Sequence, residues 1–318
     1  MKEKIYIPVK IEDNKITIDS EATKKMNNNK GKKIILNILS QDFTSMNIDK
    51  QNEILLKLKS VIKRYKIFGI KITAKPSSLN KEKFKVLKKN KVKELEIYID
   101  SSNDYILKNI KADYNFEEAK KIIKKIKSYR FNLNINIVIG LPESTLADDL
   151  NTVRECIKLR PIQIRLIPCV YNYNEVLNEL YEHNEFEPLS EVQLIERIKE
   201  ILNYIEQAKV ENIVIGEDDQ TIYGMSVNKF RDLLEGDIWY EKIVDDIKSF
   251  NVKVKEVEIE ANPEDTKAIK GVEDKNLIQL RDVYDVELKI VNNEEIHKGN
   301  YKIKILKTYT DFLDDEDN

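Results

Sequence analysis

The chain has 318 residues, 41% of them hydrophobic, a formal net charge of −2, and two cysteines, Cys156 and Cys169. This length is enough for one main domain and an appendage, and two cysteines exclude a disulfide framework and suit a reducing cytoplasm. The apolar runs are far shorter than the roughly 20 residues that cross a bilayer, and no signal peptide precedes the apolar run 5–9, so we expect a cytoplasmic protein without membrane contact.

Short β-rich runs alternate with amphipathic helical patterns over the first two thirds of the chain. The runs cover 5–9, 33–39, 67–73, 93–99, 133–139, 162–167 and 211–215. Between them apolar residues recur at helical spacing, as at Leu55, Leu58 and Ile62. Repeated strand–helix units predict a parallel sheet. We therefore expect an α/β fold, a partial (β/α) TIM-like barrel.

The pattern changes after Gly224. A long helical segment precedes an alternating strand at 252–259, helical stretches at 263–270 and 275–283, and strands at 286–291 and 301–306. We therefore expect two domains, a barrel at 1–225 and a small α+β domain at 226–318 that ends in an acidic tail.

The second domain resembles a KH-like RNA-binding domain in its order of elements. That fold lays a Gly-x-x-Gly turn against phosphates. The matching turn here reads Gly-Val-Glu-Asp at 271–274, with Asp274 in place of the second glycine. Nucleic-acid contact and protein packing are both open for this domain.

Positive charge is concentrated in residues 51–130. This stretch holds 22 Lys/Arg and 9 Asp/Glu, a charge of +13, whereas the remainder holds 32 against 47, a charge of −15. Such a stretch is suited to a nucleic-acid backbone, because phosphate contacts are mainly electrostatic. RNA bound through 51–130 is therefore one expected partner. The alternative is a set of solvated helix faces.

Three segments of the barrel region carry a family resemblance. They are Ile-Gly-Leu-Pro at 139–142, the helical segment 146–161, and Ile-Arg-Leu-Ile-Pro at 164–168. Read in this order, they resemble bacterial radical SAM proteins of the group that includes the Elongator catalytic subunit and oxygen-independent coproporphyrinogen oxidase.

The resemblance implies a CxxxCxxC loop after the first strand, where three thiolates hold a [4Fe–4S] cluster that binds S-adenosylmethionine (SAM). In this chain the segment after Pro8 contains no cysteine. The family's glycine pair, where exposed backbone holds the SAM amino group, is replaced by Ser40 and Gln41, and Glu143 stands where another glycine is usual. We therefore expect no cluster, no bound metal and no other cofactor.

Some polar residues remain where the resemblance places the cofactor. Barrel enzymes carry function at the carboxyl ends of their strands. The candidate pocket, vestigial in this interpretation, consists of Ser40, Gln41, Asp42, Glu96, Asp100 and Arg165. The alternative is that Glu96 and Arg165 form an inherited buried ion pair.

These departures predict a degenerate radical SAM relative, a pseudoenzyme that acts as a non-catalytic binding or accessory protein. Its expected partners are RNA or an intact radical SAM relative. The alternative is an enzyme that still uses SAM or another small molecule, in tRNA or RNA modification for example. Other chemistry has little support, because His183 and His297 have no Ser or Cys in a nucleophile context and no P-loop or dinucleotide motif occurs.

Overall fold

The chain divides into two compact units, Met1–Gly216 and Glu217–Asn318. The computed structural model describes residues 4–12, 15–39, 43–170, 175–208, 212–217 and 220–309. The division falls earlier than the 225/226 boundary expected from the sequence, because a short hairpin at 221–226 contacts the long helix that follows it. None of the helices in these ranges is long and apolar enough to cross a membrane.

Strands and helices alternate through the first unit, as the sequence predicts. The strands are β1 (Lys4–Glu12), β2 (Lys15–Thr17), β3 (Lys33–Leu39), β4 (Gly69–Ala74), β5 (Val92–Tyr98), β6 (Asn132–Ile139), β7 (Gln163–Pro168) and β8 (Ile213–Ile215). The helices are α1 (Ser20–Asn28), α2 (Ile48–Lys57), α3 (Lys59–Arg64), α4 (Lys81–Lys89), α5 (Asp104–Asn109), α6 (Phe116–Ser128), α7 (Leu146–Lys158), α8 (Glu175–Glu182) and α9 (Glu191–Gln207).

The eight strands form one sheet in the order β2-β1-β3-β4-β5-β6-β7-β8. All neighbours are parallel except β1 and β2. Isoleucine-rich runs explain the strands, since β-branched side chains favour a pleated, buried surface. In β3, for example, Ile34, Leu36 and Ile38 are almost fully buried. The first unit therefore has the α/β fold of a partial (β/α) barrel, as the sequence predicts.

The helices begin where the sequence supplies caps. Thr145 caps α7 and Ser190 caps α9, and in both cases the third helical residue, Asp148 or Gln193, bonds back to the cap. This reciprocal arrangement satisfies two otherwise free N–H groups at each helix start. The helix that follows the 139–142 segment is thereby fixed at its first turn.

The second unit is a small α+β layer structure. Its elements are β9 (Thr221–Ile222), β10 (Met225–Ser226), α10 (Val227–Ser249), β11 (Val254–Ala261), α11 (Thr266–Lys270), α12 (Lys275–Tyr284), β12 (Glu287–Asn292) and β13 (Tyr301–Thr308). The larger sheet has the order β12-β11-β13, with β13 antiparallel to β11. One sheet face joins the helices in a core around Trp239, Val257 and Leu280. The KH-like assignment stays a prediction.

Candidate functional site

Polar side chains lie opposite one another across the middle of the large sheet. Lys71 on β4 pairs with Glu94 on β5, Glu96 pairs with Asn134 on β6, and Asn136 pairs with Arg165 on β7. Paired residues of adjacent strands point to the same face. The connecting helices of a right-handed βα repeat cover the other face, so this polar face is the inner face of the partial barrel.

Glu96 is the centre of a buried charge cluster on the inner face. It is 5% exposed, and its carboxylate accepts hydrogen bonds from Lys71 Nζ at 2.7 Å and from Thr73 Oγ1 at 3.0 Å. Arg165 Nε lies 3.6 Å away, and the same guanidinium donates to the carbonyl of Gly216 at 2.6 Å. Burial alone would raise the pKa of Glu96, but Lys71 and Arg165 together lower it below the usual value.

The ion pair between Glu96 and Arg165 that the sequence suggested is therefore present only as a longer contact. Lys71 is the close partner, and it is 3% exposed. Its position in the apolar run Ile70–Ile72 was the available signal, because a charged residue inside a buried strand normally needs a counter-charge.

A second buried carboxylate, Glu94, lies one layer away towards the amino ends of the strands. It is fully buried, accepts from Lys4 Nζ at 2.6 Å and Tyr6 OH at 2.9 Å, and has longer contacts with Asn132 and Asn134. Burial and the neighbouring carboxylate raise the pKa of Tyr6, so its hydroxyl stays protonated and donates. Glu94 is not among the candidate residues that the sequence pattern indicated.

Asn136 has hydrogen-bonding groups that nothing in the described part of the chain satisfies. Its side chain is 1% exposed, and neither its amide oxygen nor its amide nitrogen has a partner. The amide oxygens of Asn134 and Asn37 on the same face are also without a donor. A buried polar atom left unsatisfied costs roughly 1–3 kcal/mol, so these atoms indicate a place for a polar ligand or ordered water.

Asp100 lies just beyond β5 at the carboxyl end of the sheet. Its carboxylate accepts the hydroxyl of Tyr114 at 2.9 Å, and its own N–H donates to the same hydroxyl oxygen at 3.0 Å. Burial raises the pKa of Asp100. Of the other candidate residues, Ser40, Gln41 and Asp42 lie outside the described residues.

Asp149 fixes the loop that carries the 139–142 segment. It is 4% exposed, accepts the N–H of Gly140 at 3.1 Å, and forms an ion pair with Arg197 of α9 at 3.1 Å. Burial raises its pKa to about 6, although Arg197 acts in the opposite direction. This pair has a positioning role that the sequence motif alone did not reveal.

The turn between α11 and α12 was the candidate phosphate contact of the second unit. Gly271, Glu273 and Asp274 all have a positive φ, at 74°, 56° and 58°. Asp274, in left-handed conformation, therefore stands where the KH-like pattern has its second glycine, and a second acidic residue, Glu273, lies beside it. Their carboxylates oppose a phosphate at this turn.

The inner face is suited to holding a polar small molecule. It offers an ionised carboxylate fixed by cations and amides that both donate and accept hydrogen bonds, which are the convergent polar groups typical of ligand sites.

The two cysteines, Cys156 and Cys169, do not offer reactive thiolates. Both are buried, and burial raises the pKa of each thiol, so neither is a ready nucleophile.

Comparison with known proteins finds a similarity to one family over part of this chain. Residues 16–156 match the model described as Radical SAM superfamily. The heme chaperone HemW of Buchnera aphidicola subsp. Schizaphis graminum is 31% identical over 150 residues, 45% of this chain and 40% of that protein. The HemW of Buchnera aphidicola subsp. Acyrthosiphon pisum is 28% identical over 118 residues, 36% of this chain and 31% of that protein.

A solved structure shares the fold at low identity. The archaeal Methanocaldococcus infernus Elp3 with an N-terminal deletion has a TM-score of 0.57 and 16% identity, over 70% of this chain and 58% of that one. This likeness shows the fold alone. The chain spans about 40% of the length of the first curated relative and 31% of the second.

Proposed function

We propose that this protein belongs to the radical SAM superfamily, whose model matches residues 16–156, and that it acts without an iron–sulfur cluster, as a non-catalytic binding or accessory protein. The observation that carries the proposal is the segment after β1. There the chain turns back as β2, with Lys10 opposite Thr17 and Ile11 opposite Ile16, and it contains no cysteine. The family resemblance implies a cysteine loop after the first strand, and this regular strand pairing supports the proposal that the chain has no such loop.

The two cysteines do not fit a cluster site. Cluster iron is held by several thiolates, and the family resemblance implies three, whereas this chain has two cysteines. Cys156 lies in α7 with 0% exposure and Cys169 follows β7 with 1% exposure, both protonated at neutral pH because burial raises their pKa. This donor set supports a role that does not pass through cluster chemistry.

The inner face supports a binding role. Its unsatisfied amides at Asn134 and Asn136 and its fixed charges at Glu96 and Arg165 offer a polar ligand several simultaneous contacts. The two curated relatives are named heme chaperones, which supports binding as a role on this fold. As macromolecular partner we propose RNA, and an intact radical SAM relative is the alternative.

Reductive cleavage of SAM tests the proposal directly. The purified chain, treated anaerobically with iron, sulfide and dithionite, is incubated with SAM beside an intact radical SAM enzyme as the positive control. We expect no 5′-deoxyadenosine above the protein-free blank. Catalytic amounts of 5′-deoxyadenosine from this chain would overturn the proposal.

A second candidate function, an enzyme that uses SAM or another small molecule without a cluster, is favoured by the unsatisfied amide of Asn136. Calorimetric titration with SAM separates the two. Saturable heat that disappears in Asn136→Leu and in Arg165→Met, together with consumption of SAM, would favour the enzyme. A flat titration in all three proteins supports the non-catalytic proposal.

A further inference from the structure

Four helix-to-strand turns of the first unit carry a basic residue in left-handed conformation. Lys66, Lys91, Arg130 and Arg160 have φ values of 51°, 63°, 58° and 49°. They precede β4, β5, β6 and β7, and all four are exposed. Glycine or asparagine is the usual residue at such a position, and a larger side chain there costs about 1–2 kcal/mol.

The sheet order places these four cations in a row. Strands β4 to β7 are consecutive neighbours, and neighbouring strands lie about 4.8 Å apart, so the four turns span about 15 Å along the amino-terminal edge of the sheet. The hydrogen bond from Ile70 N–H to the carbonyl of Lys91 at 3.1 Å joins the first two strands at this edge.

Two more lysines are held against the same edge. Lys88 Nζ donates to the carbonyl of Arg130 at 3.1 Å and lies 4.9 Å from the ring centroid of Phe131. The stem of Lys93 packs on Gly69, where an added Cβ would lie 2.3 Å from Lys93 Cγ. We call Lys66, Lys88, Lys91, Lys93, Arg130 and Arg160 the amino-terminal rim.

The rim has no matching negative charge in the described residues. None of its six members forms an ion pair with another described residue. Partial burial together with the charges of Lys93 and Arg130 lowers the pKa of Lys88, and burial together with the charge of Arg160 lowers the pKa of Lys127. Cations this close repel one another until an anion binds.

We propose that the amino-terminal rim binds the phosphate backbone of single-stranded RNA. A row of cations suits a chain of phosphates, and Phe68, 41% exposed with Lys33 Nζ 5.0 Å from its ring centroid, offers a base a stacking surface. The rim is at the end of the strands opposite the carboxyl ends, so it is a surface separate from the inner face. The proposal names a partner for the proposed binding role and does not depend on cluster chemistry.

An anionic membrane fits the rim less well. Interfacial binding buries a continuous apolar face beside the cations. Among the exposed large apolar side chains of the described residues, Phe68 and Ile162 adjoin the rim turns, at 41% and 38% exposure. Two partly covered side chains do not form such a face.

The test variant replaces the four turn residues by asparagine, Lys66→Asn, Lys91→Asn, Arg130→Asn and Arg160→Asn. Asparagine tolerates left-handed backbone, so we expect a melting temperature no lower than that of the unmodified chain. The control variant is Lys81→Gln, Lys85→Gln, Lys121→Gln and Lys124→Gln, four exposed lysines on α4 and α6. Both variants change the net charge from −2 to −6.

Binding is measured by fluorescence anisotropy with labelled poly(U) at increasing salt. We expect saturable binding by the unmodified chain, a loss of at least about tenfold in the rim variant, and a salt slope that falls by about 0.7 for each phosphate contact removed. The control variant should retain most of the affinity. No saturable binding, equal losses in both variants, or binding to phosphatidylserine vesicles in place of RNA would overturn the proposal.

Iron and sulfide content, measured on the same preparations, separates this proposal from the previous one. A metal-free chain that does not bind RNA refutes only the proposal that the amino-terminal rim binds RNA. A chain that binds RNA and also holds a stoichiometric cluster refutes only the proposal that the protein acts without an iron–sulfur cluster.

Discussion

Replacing Glu96 by glutamine tests the buried charge cluster of the inner face. Glutamine keeps the size and one acceptor oxygen, but it leaves the Lys71 ammonium, 3% exposed, without its counter-charge. Breaking a buried pair on one side costs about 3–5 kcal/mol. Because Arg165 keeps its hydrogen bond to Gly216, we expect a loss at the lower end of this range, about 3 kcal/mol in the free energy of unfolding.

The assay is urea unfolding followed by far-ultraviolet circular dichroism, completed as a double-mutant cycle with Lys71→Met. We expect the double variant to be more stable than the sum of the single effects predicts, because it removes both charges. Glu179→Gln serves as the matched control, since Glu179 pairs with Lys111 at 3.2 Å with both side chains more than half exposed, and it should cost less than about 1 kcal/mol. Equal effects of Glu96→Gln and Glu179→Gln would refute the reasoning.

The same variant has a defined pH dependence. The folded-state pKa of Glu96 is lowered, so the stability it contributes is present above the unfolded pKa of a glutamate and is lost as the pH falls through the folded pKa. The difference in stability between the unmodified chain and Glu96→Gln should therefore be largest near neutral pH and shrink on acidification. A difference that grows on acidification would contradict the assignment.

Three other predictions concern single sites. Asn136→Leu should leave the free energy of unfolding unchanged or raise it by about 1–3 kcal/mol, because it removes unsatisfied amide groups. A clearly lower free energy of unfolding in urea would show that the amide is satisfied. Gly271→Ala should destabilise the second unit more than Gly299→Ala does. Both glycines have a positive φ, but only a Cβ at position 271 would meet a neighbour, Asn276 Oδ1 at 2.7 Å. The single tryptophan lies in the core of that unit, so its fluorescence reports the unfolding. Cys156 and Cys169 should react with Ellman's reagent only after unfolding, and rapid reaction of the native chain would show accessible thiolates.

Most of the strands could be predicted from the sequence because isoleucine-rich runs bounded by polar turns leave few alternatives. The predicted run 33–39 is β3 as observed, and 133–139 differs from β6 by one residue. The pair β2 and α1 was missed, because a three-residue strand and a helix that buries only Ala22 and Met26 carry almost no periodic signal.

The candidate site was predicted only in part. Glu96 and Arg165 are in contact as anticipated, but Lys71 and Asn136 were not singled out. Polar residues in strands are normally interpreted as solvent-facing, and a barrel whose inner face is polar reverses that rule. Which side chains of neighbouring strands lie beside one another depends on the strand register, and the register cannot be determined from a single sequence.

The charge asymmetry was visible from composition, whereas its geometry was not. The sequence located the excess of lysine in 51–130. Only the sheet order shows that Lys66, Lys91, Arg130 and Arg160, separated by many residues along the chain, line one edge. Arg160 lies outside the stretch that composition indicated.

Iron and acid-labile sulfide per chain, measured after anaerobic reconstitution beside an intact radical SAM protein, test the central claim most directly. We expect a folded protein with neither element in stoichiometric amount, since the segment after β1 offers no thiolate and the two cysteines are buried thiols. Any residual iron should be the same in a Cys156→Ser, Cys169→Ser variant. Stoichiometric iron and sulfide that disappear in that variant would contradict the account and place a cluster on this chain.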